Sequence, residues 1–460
     1  MNRAQRDKML GTEKISKLIA KLSIPAIAAM LVMTLYNLVD TIYVGKGVGP
    51  LAIGGLTIVF PFQMIVMALA MMVGVGAASV VSRKLGEGDR EKAYKAAGNA
   101  FTVSIIFGLV ITAAGFLFFD NILLIFGVTD TLMEYSSDYL SVILIGTVFI
   151  TFTMSANNIV RAEGHANMAM ITMLVGAVSN IILDPIFIFG FGMGVKGAAT
   201  ATVISQVLSC IFLFQYFVRG KSTIHIKPAN LIPDFSLLKE IFSLGISAFI
   251  RQSGMSLVLI AVNNSLGYYG GEVLGNIYIS VFGLIFRILS VILMPLFGLV
   301  QGFQPIAGFN YGAGKLERVK ETVKVSLIIS TIIGAAGFVI LMLFPELVLR
   351  IFTDSTEEIN LIQYGAPVLR IAILLIPLVG LQIIGSTYFL AIGKAGPAFF
   401  LGLSRQFICL LPFILLLPLF FGLWGVFYAF PMADFFSTAI TAVWLLADIK
   451  KLNLRMNPAQ

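Results

Sequence analysis

The chain has 460 residues, 58% of them hydrophobic and only 12% charged, with a formal net charge of +8 and two cysteines. A soluble domain carries about 25% charged residues, so a water-soluble globular protein is excluded. The cysteines, Cys210 and Cys409, both fall inside apolar runs, which argues against a disulfide framework or a thiolate metal site and for apolar packing.

Apolar runs of about 20 residues read as transmembrane helices, and twelve are predicted. The first six cover roughly 15–44, 52–83, 93–118, 132–162, 167–189 and 195–218. The second six cover roughly 236–268, 273–309, 316–343, 357–390, 398–420 and 423–449. Several exceed the length needed to cross, so they should tilt or project beyond the bilayer. The basic start resembles a signal peptide. Its apolar run is too long, however, and has no small-residue cleavage site before Asp40, so the first helix is expected to be retained.

Lys and Arg gather in alternate connections: the N-terminal tail, 83–95, 219–239, 315–324 and 450–455. The opposite connections hold Asp120, Asp130, Glu134, Asp138, Glu346, Asp354, Glu357 and Glu358. By the positive-inside rule both termini are cytoplasmic, in a multi-pass protein of the cell membrane. The positive charge is then a topology signal. No soluble domain carries it, so no nucleic-acid partner is expected. The expected surroundings are the lipid bilayer, and the expected state is a monomer.

Four weak matches recur in order: Leu22–Ile27 with Leu244–Phe249, Gly86–Gly88 with Gly312–Gly314, Gly164–Ala166 with Gly393–Ala395, and Lys196–Ala198 with Trp424–Val426. Their nearly constant spacing argues for a duplicated six-helix unit. The predicted fold is therefore an all-α membrane protein of twelve transmembrane helices, in two six-helix lobes related by a parallel internal repeat. The predicted boundaries are an N-lobe at 1–218, a linker at 219–235 and a C-lobe at 236–460.

Asp40 and Asp184 stand inside apolar runs. A carboxylate at membrane depth costs about 2.5–3.5 kcal/mol on insertion scales and is kept where it pairs, binds an ion or proton, or meets substrate. The first helix ends near Val44, which puts Asp40 about 6 Å from its end at 1.5 Å per residue. The fifth helix puts Asp184 at similar depth, with Asn180 one turn further in. Thr202 on the sixth and Tyr139 on the fourth reach the same level, and Tyr36 and Asn37 share the Asp40 face. Pro25 and Pro185 loosen the helical ladder nearby and are candidate hinges. Two adjacent buried carboxylates hold a proton between them and release it when solvated or when a cation arrives. Oxygen ligands from Asp, Asn and Thr also suit Na⁺. A bland alternative makes Asp184 a hydrogen-bond acceptor at a bend. Met33 is a candidate for a soft, adaptable pocket wall.

The second half instead carries Arg251, Arg287, Arg370, Arg405 and one acid, Asp434, for which an ion pair with Arg405 is expected. No HExxH, DxxD or GxSxG pattern occurs in the predicted spans, so an intramembrane enzyme is not expected, nor is a cofactor beyond the coupling ion.

Leu35–Asp40, Ser82-Arg83 with Gly86, Arg161–Gly164 and Asn180–Pro185 together resemble the multidrug and toxic compound extrusion family, the MATE transporters, in their prokaryotic DinF-like branch. The resemblance covers nearly the whole chain. It implies a twelve-helix fold and secondary antiport, with export of amphipathic or cationic compounds driven by H⁺ or Na⁺. It places the cation site at Asp40, Asn180, Asp184 and Thr202, with Tyr36, Tyr139 and Asn157 nearby. The predicted boundaries put Asn157 closer to the other end of its helix. Another branch uses acids on helices 7 and 10, where this chain offers Arg251 and Arg370. The alternative function is export or flipping of a lipid-linked or anionic saccharide, for which the second-half arginines are the motive.

Overall fold

The structure, a computed structural model, describes residues 3–220, 222–351 and 358–456, and among these it is helical with short connections and no strand. Asp354 and Glu357 lie outside the described residues.

The basic N-terminal tail is a helix, α1 (Arg3–Thr12). Its Ala, Gln, Arg, Lys, Met and Leu residues favour helix, and Arg6, Met9 and Leu10 fall on one face and are buried. Six spans follow: α2 (Ile15–Gly47), α3 (Leu51–Glu87), α4 (Arg90–Leu117), α5 (Asp130–Ala162), α6 (Ala166–Gly190) and α7 (Gly194–Val218). The second set is α8 (Phe235–Gly271), α9 (Val273–Gly312), α10 (Leu316–Leu343), α11 (Leu361–Ala372 with Ile376–Ala391), α12 (Ala395–Phe421) and α13 (Leu423–Leu454).

The tenth span departs from its predicted single run. α11 is bent by 50° between its two pieces. Pro377 sits in the first turn of the second piece, where it disfavours helix before it. At Pro185 the backbone widens into a π-turn, Ile186–Gly190, as expected where proline removes a ladder hydrogen bond. Pro25, by contrast, lies inside an unbroken helix.

The repeat is visible in the backbone. Glycines with positive φ pair as Gly49/Gly271, Gly88/Gly314, Gly164/Gly393 and Gly194/Gly422, at offsets of 222, 226, 229 and 228 residues. Short helices, Phe119–Ile125 and Pro345–Ile351, also follow the third span of each half.

Three apolar cores decide the shape. One uses only first-half residues such as Val59, Leu140 and Val203. Another uses only second-half residues such as Val262, Leu369 and Phe427. The third joins Leu10, Val80 and Ile159 of the first half to Ile241, Phe303 and Tyr388 of the second. The halves therefore meet at the face that carries both termini and keep separate cores towards the opposite face.

That seam is tight. A Cβ on Gly76 would run into the Ile241 carbonyl, and one on Gly245 into the Met72 carbonyl, so α3 and α8 touch backbone to backbone. Arg83 Nη2 crosses the seam to Glu240 Oε1 at 2.8 Å. Helix α1 lies across it. Arg6 pairs with Glu163 of the α5–α6 turn at 3.3 Å. On the other side, Asn310 donates to the Leu10 carbonyl at 3.1 Å, Lys315 to the Gly11 carbonyl at 2.9 Å and Arg318 to the Glu13 carbonyl at 2.7 Å.

Candidate functional site

Away from the seam, α2, α5, α6 and α7 bring the predicted polar residues together. Asp184 is 0% exposed and Asn180 2%. Asn180 Nδ2 donates to Asp184 Oδ1 at 3.1 Å and to Thr202 Oγ1 at 3.3 Å. The four-residue spacing of Asn180 and Asp184 aligns them along α6, and Thr202 faces them from α7. Asp40 is partly buried on α2, and its carboxyl group meets that of Asp184 side chain to side chain.

Two carboxyl groups in contact define the chemistry. Asp40 Oδ1, Asp184 Oδ2 and Asn180 Oδ1 are buried with no hydrogen-bond partner among the described residues. Adjacent carboxylates repel unless a proton or a small cation lies between them. Buried acceptors without a donor cost about 1–3 kcal/mol each, so the arrangement is one that a proton or cation completes.

The phenols take supporting places. Tyr36 lies near both carboxyl groups. Tyr139 is buried and hydrogen-bonds the side chain of Gln63 on α3, a partner that the sequence pattern did not single out. Asn37, expected on the Asp40 face, is exposed, and its amide donates to the Met33 carbonyl of its own helix at 2.9 Å. Met33 is half-buried on the same helix.

Asn157 is elsewhere. It is buried, and its amide donates to the Ala169 carbonyl at 3.4 Å, tying α5 to α6 near the seam. At 1.5 Å per residue it is about 27 Å from Tyr139 along α5.

In the second half Arg405 Nε meets Asp434 Oδ1 at 2.7 Å, the expected ion pair. Arg287 and Arg370 are exposed, and Arg251 is half-buried. Among the described residues no group of three or more His, Cys, Asp or Glu side chains is arranged to hold a metal ion.

The family profile described as MatE matches residues 25–186 and 248–416, one block in each half. The chain belongs to the MATE family. It is a transporter rather than an enzyme, and the paired blocks coincide with the structural repeat. The multidrug export protein MepA of Staphylococcus haemolyticus is 27% identical over 420 residues, 91% of each chain. MepA of Staphylococcus aureus is 26% identical over 436 residues, 94% of each chain. Among solved structures, the MATE multidrug transporter DinF-BH in complex with R6G is 44% identical, with a TM-score of 0.87 over 95% of this chain and 97% of that one. An outward-facing MATE family transporter has a TM-score of 0.90 at 28% identity, covering 98% of this chain and 99% of the other.

Proposed function

We propose that this MATE transporter exports amphipathic or cationic drugs by antiport against a cation, with the Asp40–Asp184 pair as the coupling site. The observation that carries this is the contact of the two carboxyl groups, with three buried oxygens lacking donors around it. A proton shared by the pair fits that contact. The same oxygens, with Thr202, also offer Na⁺ a ligand set. The basic connections make the terminal face cytoplasmic. The closed seam then faces the cytoplasm, and Asp40 stands towards the outside. A proton taken up from outside alters the contacts between α2, α6 and α7. Pro25 and the π-turn after Pro185 give α2 and α6 places to bend in response. The two lobes, 1–218 and 236–460, rock about the seam, joined by the linker 219–235.

The driving force is adequate. One inward charge is worth about 2.3 kcal/mol per 100 mV, and one pH unit adds about 1.4, which together sustain roughly 500-fold accumulation of a neutral drug. A monovalent cationic drug cancels the voltage contribution and leaves about tenfold per pH unit.

The test is uptake of a fluorescent cation into everted vesicles, with pH and Na⁺ gradients imposed separately. Asp40→Asn keeps the shape and removes the charge, so gradient-driven uptake is expected to vanish while expression persists. Wild-type rates in that variant would refute the assignment.

A further inference from the structure

A second polar site lies in the seam itself. Residues Ala78 of α3, Asn158, Arg161 and Ala162 of α5, and Gln301, Gln304 and Pro305 of α9 line a small cavity whose water-accessible space is about 20 Å³. It is built from both halves.

Its guanidinium is not accounted for. Arg161 Nε is buried without a partner, and the Met173 sulfur, 3.9 Å from Nη1, is its protein acceptor. A thioether is a weak acceptor. The nearest acid in sequence, Glu163, is taken by Arg6, Ser222 and Thr223. The amides around Arg161 are also underused. Among the described residues Gln301 Oε1 is buried without a partner, and its Nε2 reaches the Met30 sulfur at 3.5 Å. Asn158 Nδ2 touches the Met71 sulfur at 3.9 Å besides its own helix's Met154 carbonyl. Gln304 Nε2 donates to the Val75 carbonyl across the seam at 3.2 Å. A cation and three amides thus share a cavity, and the sulfurs of Met30, Met71 and Met173 lie against those side chains as soft, adaptable neighbours. Arg161 stands in the last turn of α5, and a buried donor there without an acceptor costs about 1–3 kcal/mol, so its Nε is left for an acceptor that enters the cavity.

Depth and volume say when the site works. Asn158 is about 6 Å, and Gln304 about 12 Å, from the terminal-face ends of their helices at 1.5 Å per residue. Parting the halves at that face would open the cavity to the side taken as cytoplasmic. Closed, it has room for about one water molecule and for no head group or drug, so a substrate group can enter only when the seam opens.

We propose that Arg161, with Asn158, Gln301 and Gln304, forms a cytoplasmic loading site that binds the carboxylate of a zwitterionic amphiphile while the seam is open. This rests on the export function proposed above. The guanidinium and amide donors engage the carboxylate, the methionines meet the apolar body, and closure of the seam expels the substrate towards the outer cleft.

The probes are rhodamine B, which carries a free carboxylate, and its ethyl ester, which does not. Both are presented to the cytoplasmic face of everted vesicles, and binding to purified protein is followed separately by fluorescence polarisation. For Arg161→Gln the ratio of the KM for the acid to that for the ester is expected to rise about tenfold or more, the scale of a lost charge-assisted hydrogen bond. Arg161→Lys should recover part of it, and Gln301→Leu should move the ratio in the same direction if Arg161→Gln does not fold. An unchanged ratio in both Arg161→Gln and Gln301→Leu, or equal losses for the two dyes, would overturn the proposal. Wild-type protein that binds both dyes but moves neither under any gradient would overturn the export reading instead.

Discussion

Replacing Arg6 with alanine should loosen the closed seam measurably. Arg6 is 1% exposed and Glu163 0%, so their pairing is shielded from water. Glu163 receives Arg6 Nη1 at 3.3 Å, and Ser222 Oγ, Thr223 N and Thr223 Oγ1 at 2.7 Å each. Arg6→Ala removes the only cation that Glu163 meets among the described residues and leaves three neutral donors. Breaking a buried pair from one side costs about 3–5 kcal/mol. The three remaining hydrogen bonds and the water let in by the smaller side chain bring the expectation to about 2–3 kcal/mol of local stability. That is roughly a 30- to 150-fold shift in an opening equilibrium. The assay is hydrogen exchange in detergent at the Thr223 amide, whose hydrogen is bonded to Glu163. Glu163→Gln should cost less, because Arg6 keeps Asp7 at 3.5 Å. The double variant Arg6→Ala/Glu163→Gln should be milder than Arg6→Ala, since no unpaired charge remains. Thr223 protection within twofold of wild type in Arg6→Ala would refute the reasoning.

Gly245→Leu places a side chain where the Met72 carbonyl already sits, so the seam should be held open and transport should fall at least tenfold. Spin labels at positions 92 and 317 should report a distance several ångströms longer than in wild type, and an unchanged distance would count against a close-packed seam. Asp40→Asn and Asp184→Asn should be non-additive in transport rate, because groups that share one proton act as a unit; a double variant that loses the full sum would make them independent. Asp434→Asn should leave the pH and Na⁺ dependence of efflux unchanged while lowering the melting temperature, since Asp434 pairs with Arg405 at 2.7 Å, away from the proposed coupling site. In the α5–α6 turn, burial holds the His165 imidazole below its ordinary value of 6.5, Glu163 opposes this, and Arg6 adds to it. The folded state then binds fewer protons than the unfolded one below that pH, so stability should fall as pH drops through about 6.5 and level off above it. His165→Asn, which keeps a side-chain hydrogen bond to Tyr216 within reach, should flatten thermal stability measured between pH 5 and 8; an unaltered slope would remove His165 as the cause.

The sequence by itself determined the number of spans and the repeat, and it singled out the acids of the proposed coupling site. Apolar runs must be long enough to cross the bilayer, and charge is too costly there to be placed idly, so length and rarity made both legible. Helical spacing aligned Asn180 with Asp184 on one face, and the depths of Asp40 and Thr202 followed from counting residues to the helix ends. Counting could not fix rotation. It put Asn37 beside Asp40, whereas the structure turns that residue outward and brings Gln63 to Tyr139 from a helix remote in sequence. The bend in α11 depended on where Pro377 lay within a turn, which an apolar run does not show. The seam was equally hidden. Gly76 meets Ile241, Arg83 meets Glu240, and Arg161 shares a cavity with Gln301, each pairing residues 140 to 165 positions apart. Such contacts are set by how whole helices pack across the two halves, which no local pattern encodes.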